Sequence, residues 1–553
     1  MQKASLDDEI MDAVKKFSPS GAYIIGFNEY AGKVFVPSKE NISAALAKVR
    51  DLQSRATSEL QTKVLNSMRT MIEFDEPQPI LDDIVGAIFA HLAKEGINDE
   101  HMLSLLNLSS EAIEATRDRF VGREIPTGVK ALTLYRLGGV LDILDTVKGE
   151  SKDERVKRAC DAVKAKATEF VGLFNIEGFG HGEFENVEKV FARNGFSLGR
   201  ESFYPEALAN GLDYGETPEQ LEKAAISWID EELPKFGRVV AQLAKHFGCE
   251  PKPEEIESKI NSRMPMDPKK LVTTTIALRK VVQRLVSEDV NRINPRYKTK
   301  LVETPSYLTG TIPTGAAQFF DTYTKKPFQY FFQTTDPKRD PDKSVTGLLN
   351  LLVHEEYGHC VHHSNSAVGF VGKLSKIQLL PGLQSGGPIT EGLAFNRELE
   401  FCEVSRGLEK KRRLTPAERA YVKLMERYGG LKLINLEIEF WTRRWRITRF
   451  LRVVGDVRIN TGKQGLMEFV DWANRYAGVP RSSVYFQLFP AHEGMFPGYA
   501  TSYAVVGQQI RAIEKGIKNP KKRIKFSTYL CSIGFPPRSI YVRMLKEYAR
   551  KLR

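Results

Sequence analysis

Val345-Thr346-Gly347-Leu348-Leu349-Asn350-Leu351-Leu352-Val353-His354-Glu355-Glu356-Tyr357-Gly358-His359 is the stretch on which the reading of this chain turns. Val345, Leu348, Leu349, Leu352 and Val353 recur at the spacing of one buried helix face. Two histidines and two glutamates follow at once. Unpartnered polar groups are costly to bury, and a metal ion is the partner this cluster predicts. Histidines four apart on a helix share a face and can bind one metal, and the glutamate after the first faces the water on it. Here His359 comes five positions after His354. On an ideal helix the two then stand roughly 140° apart. Both reach one metal only if the helix bulges or unwinds. Gly358 sits where that must happen, and glycine tolerates such a backbone. Two rivals stand beside this reading: a chance His and Glu cluster on a solvated helix, and the pair His359 and His363, which lacks a following glutamate.

A peptidase-type zinc takes three protein ligands and keeps one position open. Thr390-Glu391-Gly392-Leu393-Ala394-Phe395-Asn396-Arg397-Glu398 offers the third. Pro381, Gly382, Gly386, Gly387 and Pro388 break the chain before it, so a new helix is expected with Glu391 in its first turn. Glu398 lies two turns along the same face and can accept the outer N–H of a ligand histidine. The rival explanation of Glu391 is an acid favoured by the helix dipole.

The segment Glu391 to Glu398 resembles Glu-Gly-Trp-Ala-x-Tyr-x-Glu of a large bacterial and archaeal family of uncharacterised predicted peptidases. That family's first motif, His-Glu-x-x-Pro-Gly-His, is one residue longer than the motif here, whereas His-Glu-x-x-Gly-His of dipeptidyl-peptidase III has the same length. Pro497-Gly498-Tyr499-Ala500-Thr501-Ser502-Tyr503-Ala504-Val505-Val506-Gly507 is similar to the first family's Pro-Gly-x-x-x-x-Tyr-x-x-Gly, with one extra residue before the last glycine. It also resembles Gly-Tyr-x-x-x-Tyr of thimet-oligopeptidase-type enzymes. Pro19 to Gly26 is a weaker echo of the first family's start. The resemblance implies a mainly α, two-lobed gluzincin-type metallopeptidase with a deep cleft, a small β-sheet beside the metal helix, and Zn2+. On that reading His354, His359 and Glu391 hold zinc, Glu355 is the general base, and Glu398 orients a ligand histidine. Tyr503 donates to the oxyanion, with Tyr499 and His492 as rivals for that role.

At 553 residues the chain is long enough for two lobes, expected as an N-terminal helical lobe 1–250 and a catalytic lobe 251–553. Residues 41–245 carry helical stripes: Ile42, Ala45, Leu46, Val49 and Leu52 form one, and Leu132, Leu134, Leu137, Val140, Leu141 and Leu144 another. Pro251 to Glu257 reads as a possible linker, and Leu271 to Val290 as a long amphipathic helix. The glycine-rich stretch Gly178 to Glu183, with His181, reads as a loop and lacks the Lys-Ser/Thr of a phosphate cradle. No signal peptide or membrane span is expected, and five scattered cysteines suit a reducing cytoplasm. The net charge of +12 could attract acidic partners or nucleic acid, but it comes with no recognition motif and reads as a solvated face. No nucleic-acid or membrane partner is expected; the resemblance implies a peptide substrate. The oligomeric state is not read from the sequence.

Turn signals run from Thr304 to Tyr307 and from Ile312 to Gly315. Phe328 to Thr335, between Pro327 and Pro337, is aromatic and β-prone. In gluzincins such a strand forms the cleft wall, which makes Tyr330 and Phe331 substrate-binding candidates; an ordinary core strand is the rival. The predicted helix Leu431 to Val454 carries Arg443, Arg444, Arg446, Arg449 and Arg452. These either bind a substrate carboxylate in the cleft or decorate a surface helix with salt bridges. The expected activity is zinc-dependent peptide hydrolysis. The alternatives are a zinc hydrolase or lyase acting on a non-peptide substrate, and a non-catalytic helical scaffold.

Overall fold

The computed structural model describes residues 5–179, 184–263, 267–308, 312, 314–324, 326–335, 344–380 and 384–553. His181, Pro313, Pro337, Pro381 and Gly382 lie outside the described residues. The fold is mainly helical with one small sheet. No described helix is long and apolar enough to cross a membrane.

Six helices carry or support the histidine motif: α1 (Pro218–Phe247), α2 (Val345–Leu352), α3 (Val361–Ala367), α4 (Gly387–Leu408), α5 (Leu431–Asn460) and α6 (Ser502–Glu514). Local chemistry starts and stops α1. Thr217 and Gln220 form a capping box, Pro218 takes the first turn, and Gly248 at φ 65° ends the helix. Leu221, Ala225, Ile229 and Leu243 form its buried stripe, packed along α5. Each large side chain of this kind contributes about 1.5–3 kcal/mol by leaving water. α5 is buried on nearly every side, including Phe440, Trp441, Phe450 and Val454. A helix so enclosed cannot leave its arginines to solvent, so each one needs a partner within the protein.

One expectation changes here. Pro251 to Glu257 is not a linker: Pro253–Arg263 is a helix with Ile256 and Ile260 buried. Its proline and first-turn acids are helix-start chemistry. The largest apolar core runs from Tyr23 to Val505 and takes side chains from both sides of position 250.

The sheet holds β1 (Thr299–Glu303), β2 (Gly315–Phe320) and β3 (Phe328–Gln333) in the order β1-β3-β2. β3 is parallel to β1 and antiparallel to β2. The aromatic strand is therefore central, flanked on both sides. The turn signals ending at Gly315 lead straight into β2, and it is β2 that forms the edge toward the histidine motif.

Candidate metal centre

α2 ends at Leu352, and the backbone widens to i→i+5 hydrogen bonding over Val353–Cys360 before α3 begins. This pairing sets each residue over the fifth one along, which is the spacing of the two histidines. The His354 and His359 rings meet with centroids 4.9 Å apart and planes at 87°. The extra residue is thus spread over eight positions, not concentrated at Gly358. Gly358 is not among the glycines with positive φ. Its requirement is steric: a Cβ there would lie 2.6 Å from the Ala394 Cβ on α4. A second close crossing joins α4 to α6, where a Cβ on Gly392 would lie 2.7 Å from the Gly507 backbone nitrogen. Small residues at these crossings let three helices bring their polar side chains to one place.

Gly387 and Pro388 form the first turn of α4 instead of preceding it, so Glu391 is its fifth residue. The helix dipole acts mainly within the first turn, which weakens the dipole explanation of this acid. Glu391 is instead aimed at the histidines. Its Oε2 stands 3.4 Å from His359 Nε2 and 3.7 Å from His354 Nε2, and it has no hydrogen-bond partner. Ligand atoms about 2.0–2.2 Å from a tetrahedral zinc lie roughly 3.3–3.6 Å apart. The other oxygen, Oε1, accepts from the Tyr499 hydroxyl at 2.7 Å.

His354 Nδ1 donates to Glu398 at 2.7 Å, which leaves Nε2, facing Glu391, as the nitrogen a metal would take. Arg449 holds Glu398 in turn, at 2.8 Å. Glu355 is close as well: ligand atoms of His354, Glu355 and His359 all lie within 4.8 Å of one another. Of the two carboxylates, Glu391 has the better geometry for a third ligand, because its orphan oxygen approaches both Nε2 atoms. The adjacent Glu356 turns away to Arg279 at 2.6 Å and the Tyr297 hydroxyl at 2.8 Å. Two imidazole nitrogens and one unpartnered carboxylate oxygen are a donor set that fits zinc.

The charge states follow from this packing. Burial and the Arg449 cation push His354 down, but the adjoining carboxylates of Glu391 and Glu398 outweigh them and raise it to about 9, so a metal at Nε2 would have to displace a proton. Burial pushes Glu391 up, yet His359 and His354 hold it well below the usual carboxylate range. Glu355 is raised, chiefly by burial. Burial also raises the Cys360 thiol far above its ordinary value, which keeps it protonated and unsuited to ligation.

His354, Glu355, His359 and Glu391 line a cavity of about 800 Å³. Its walls include β2 from Gly315 to Phe320, along with Trp445, His492, Tyr499 and Tyr503. Tyr330 and Phe331, expected on this wall, do not reach it. They lie on the central strand, with Phe331 fully buried in the core, because β2 stands between β3 and the cavity. His492 Nδ1 donates to the Gln487 carbonyl at 2.7 Å, so its Nε2 accepts from the Tyr503 hydroxyl at 3.1 Å. His363, the rival ligand, stacks on Phe319 at 3.3 Å between centroids and does not join the Glu391 group. Arg449, Arg452 and Gln487 also face the cavity. In the sequence the two arginines stand out only as members of a run of five, and Gln487 carries no signal at all.

No family model matches the chain, and no curated protein matches it. Among solved structures, a chain from Colwellia psychrerythraea described as a "putative lipoprotein" is similar with a TM-score of 0.68 at 12% identity, over 99% of this chain and 99% of that one. A chain from Shewanella oneidensis described as a "putative lipoprotein of unknown function" is similar with a TM-score of 0.65 at 16% identity, over 98% of this chain and 100% of that one. At these identities the likeness is one of fold along the whole chain.

Proposed function

We propose that this chain is a zinc-dependent peptidase of gluzincin type, with the cavity as its substrate cleft between two lobes. The observation that carries the reading is the orphan Oε2 of Glu391, buried between two histidine Nε2 atoms and beside Glu355. His354, His359 and Glu391 would hold the ion. Bound there, zinc supplies a Lewis acid that polarises a carbonyl and makes water easier to deprotonate. Glu398 fixes the His354 tautomer, and Arg449 fixes Glu398.

Glu355 takes the proton of the attacking water and returns it to the leaving amine. Burial raises its affinity for that proton, which suits a base that must also act as an acid. Three groups compete to stabilise the oxyanion, and their hydrogen bonds separate them. Tyr499 is committed to Glu391. His492 presents an acceptor nitrogen to the cavity side. Tyr503 has a hydroxyl proton resting on that nitrogen and free to move to substrate. The outer edge of β2 offers main-chain groups to an extended peptide, which binds backbone with little demand on side chains. This role passes from β3 to β2.

The reading is tested by incubating purified protein with a mixed peptide pool and following products by mass spectrometry. Cleavage that a chelator stops and zinc restores supports it. An untouched pool in the presence of zinc, with esters or other amides hydrolysed instead, overturns it. A reducing, cytoplasmic compartment is part of the proposal and fits five cysteines that are all unpaired. The two solved neighbours are named as lipoproteins; fractionation of cells expressing the tagged chain separates the two locations.

A further inference from the structure

Among the described residues, three arginines line the cavity: Arg136, Arg449 and Arg452. A guanidinium stays charged near neutral pH, so burying one calls for a counter-charge. Arg136 donates to Asp82 at 3.0 Å, and Arg449 pairs with Glu398 at 2.8 Å. Elsewhere on α5, Arg443 and Arg444 pair with Glu439 and Glu257. Arg446 donates to Gln508 at 2.9 Å and lies 3.8 Å from Glu232. Arg452 differs from all of these. It is 5% exposed, and no carboxylate of the described residues pairs with it. Among the described residues its one acceptor is the neutral side-chain oxygen of Gln487, and its Nε has no partner. Its guanidinium lies over the Tyr503 ring, 5.0 Å from the centroid. Burial lowers its pKa to about 10, which leaves it charged at neutral pH.

We propose that Arg452 anchors a carboxylate group of the substrate, so that the cavity selects carboxylate-bearing ligands. The fork of Arg452 has donors to spare, and the planar geometry of a carboxylate matches them. Calling the ligand a peptide rests on the peptidase reading; the carboxylate contact does not depend on hydrolysis. The carboxylate comes either from a free C-terminus or from an acidic side chain, and the two sources are separable.

The test is equilibrium binding, by calorimetry, of short peptides whose central amide is replaced by a non-hydrolysable CH2–NH link. One probe ends in a free carboxylate, one in an amide, and one in an amide with a glutamate side chain. The parent protein is expected to bind at least one carboxylate probe about tenfold tighter than the plain amide. Which carboxylate probe gains identifies the source. In Arg452→Gln the preference falls to less than about twofold, with metal content and circular dichroism unchanged, and Arg452→Lys recovers part of it. Gln487→Glu places an internal carboxylate beside Arg452 and is also expected to remove the preference, which keeps the test open if Arg452→Gln folds poorly. The series is repeated after chelation, because a carboxylate can also bind zinc directly. Equal binding of acid and amide by the parent overturns the proposal. So does a preference that survives Arg452→Gln or disappears with the metal. If the preference holds but no peptide is ever cleaved, the peptidase reading fails and the carboxylate site stands.

Discussion

Two buried clusters of charge meet the C-terminal half of α5, and they are closed in different ways. Around Arg200, every side of the guanidinium is used: Glu76 takes Nε and Nη2, while Asn460 and Glu493 take Nη1 at 3.1 Å each. Asp456 accepts from Tyr204 and Asn460. Burial and the neighbouring Asp456 push Glu493 far up, so a proton removes the excess negative charge there. Around His354 the outer layer is paired through Glu398 and Arg449, with Arg449 Nε left over, but the inner atoms are not paired. Two imidazole nitrogens and Glu391 Oε2 converge with no hydrogen bond among them. The first cluster pairs its cation on every side and leaves Glu493 Oε1 without a partner, on a carboxyl that holds a proton. The second, on the metal reading proposed above, leaves its inner atoms for a cation.

The largest effect separating the two clusters is expected at Glu355, the base of the proposed reaction. Glu355→Gln should lower peptide turnover by about 10²- to 10⁴-fold while zinc content and melting temperature stay at the parent values. Retained turnover would assign the base to another group. The next effect is on stability. Arg200→Met strands Glu76 and Glu493 and should destabilise the fold by about 3–5 kcal/mol in urea titrations, with or without zinc. Glu398→Ala should act on the metal instead, lowering zinc affinity by about 10- to 100-fold in chelator competition. If Arg200→Met weakened zinc binding selectively, or if Glu398→Ala left it unchanged, the division into a closed and an open cluster would not stand. A further effect, of similar size to that at Glu398, is expected at Gly358. Gly358→Ala brings a Cβ to within 2.6 Å of the Ala394 Cβ and should cost about 1–3 kcal/mol in stability. Because α4 carries both Glu391 and Glu398, zinc affinity should fall with it. An unchanged affinity would mean that the crossing of the two segments does not set the geometry.

Much of this site is legible in the sequence, and the reasons are local. The apolar face of α2, the polar cluster after it, and the spacing from Glu391 to Glu398 are periodic signals carried by single helices. The five-residue step from His354 to His359 calls for a widened backbone, and the chain has one. What the sequence hides depends on partners distant along the chain. Gly358 reads as a conformational hinge; its neighbour Ala394 on α4 makes it a packing residue. The five arginines of α5 look alike in sequence. Only the positions of Glu257, Glu439, Glu232, Glu398 and Gln487 separate the paired ones from Arg452. β2, Gly-Ala-Ala-Gln-Phe-Phe, is weakly β-prone beside turn residues and becomes a strand through pairing with β3. That pairing moves the cavity wall from the aromatic strand to its neighbour.

The central claim is that His354, His359 and Glu391 form a metal site. The direct measurement is elemental analysis of protein purified without chelator, together with thermal melts of the chelated protein as zinc is added back. The account predicts about one zinc per chain. It also predicts a melting temperature that rises with added zinc in the parent, as expected for a ligand that binds the folded state, and does not rise in Glu391→Ala. Absence of stoichiometric metal, with no shift on adding zinc to the parent, would contradict it.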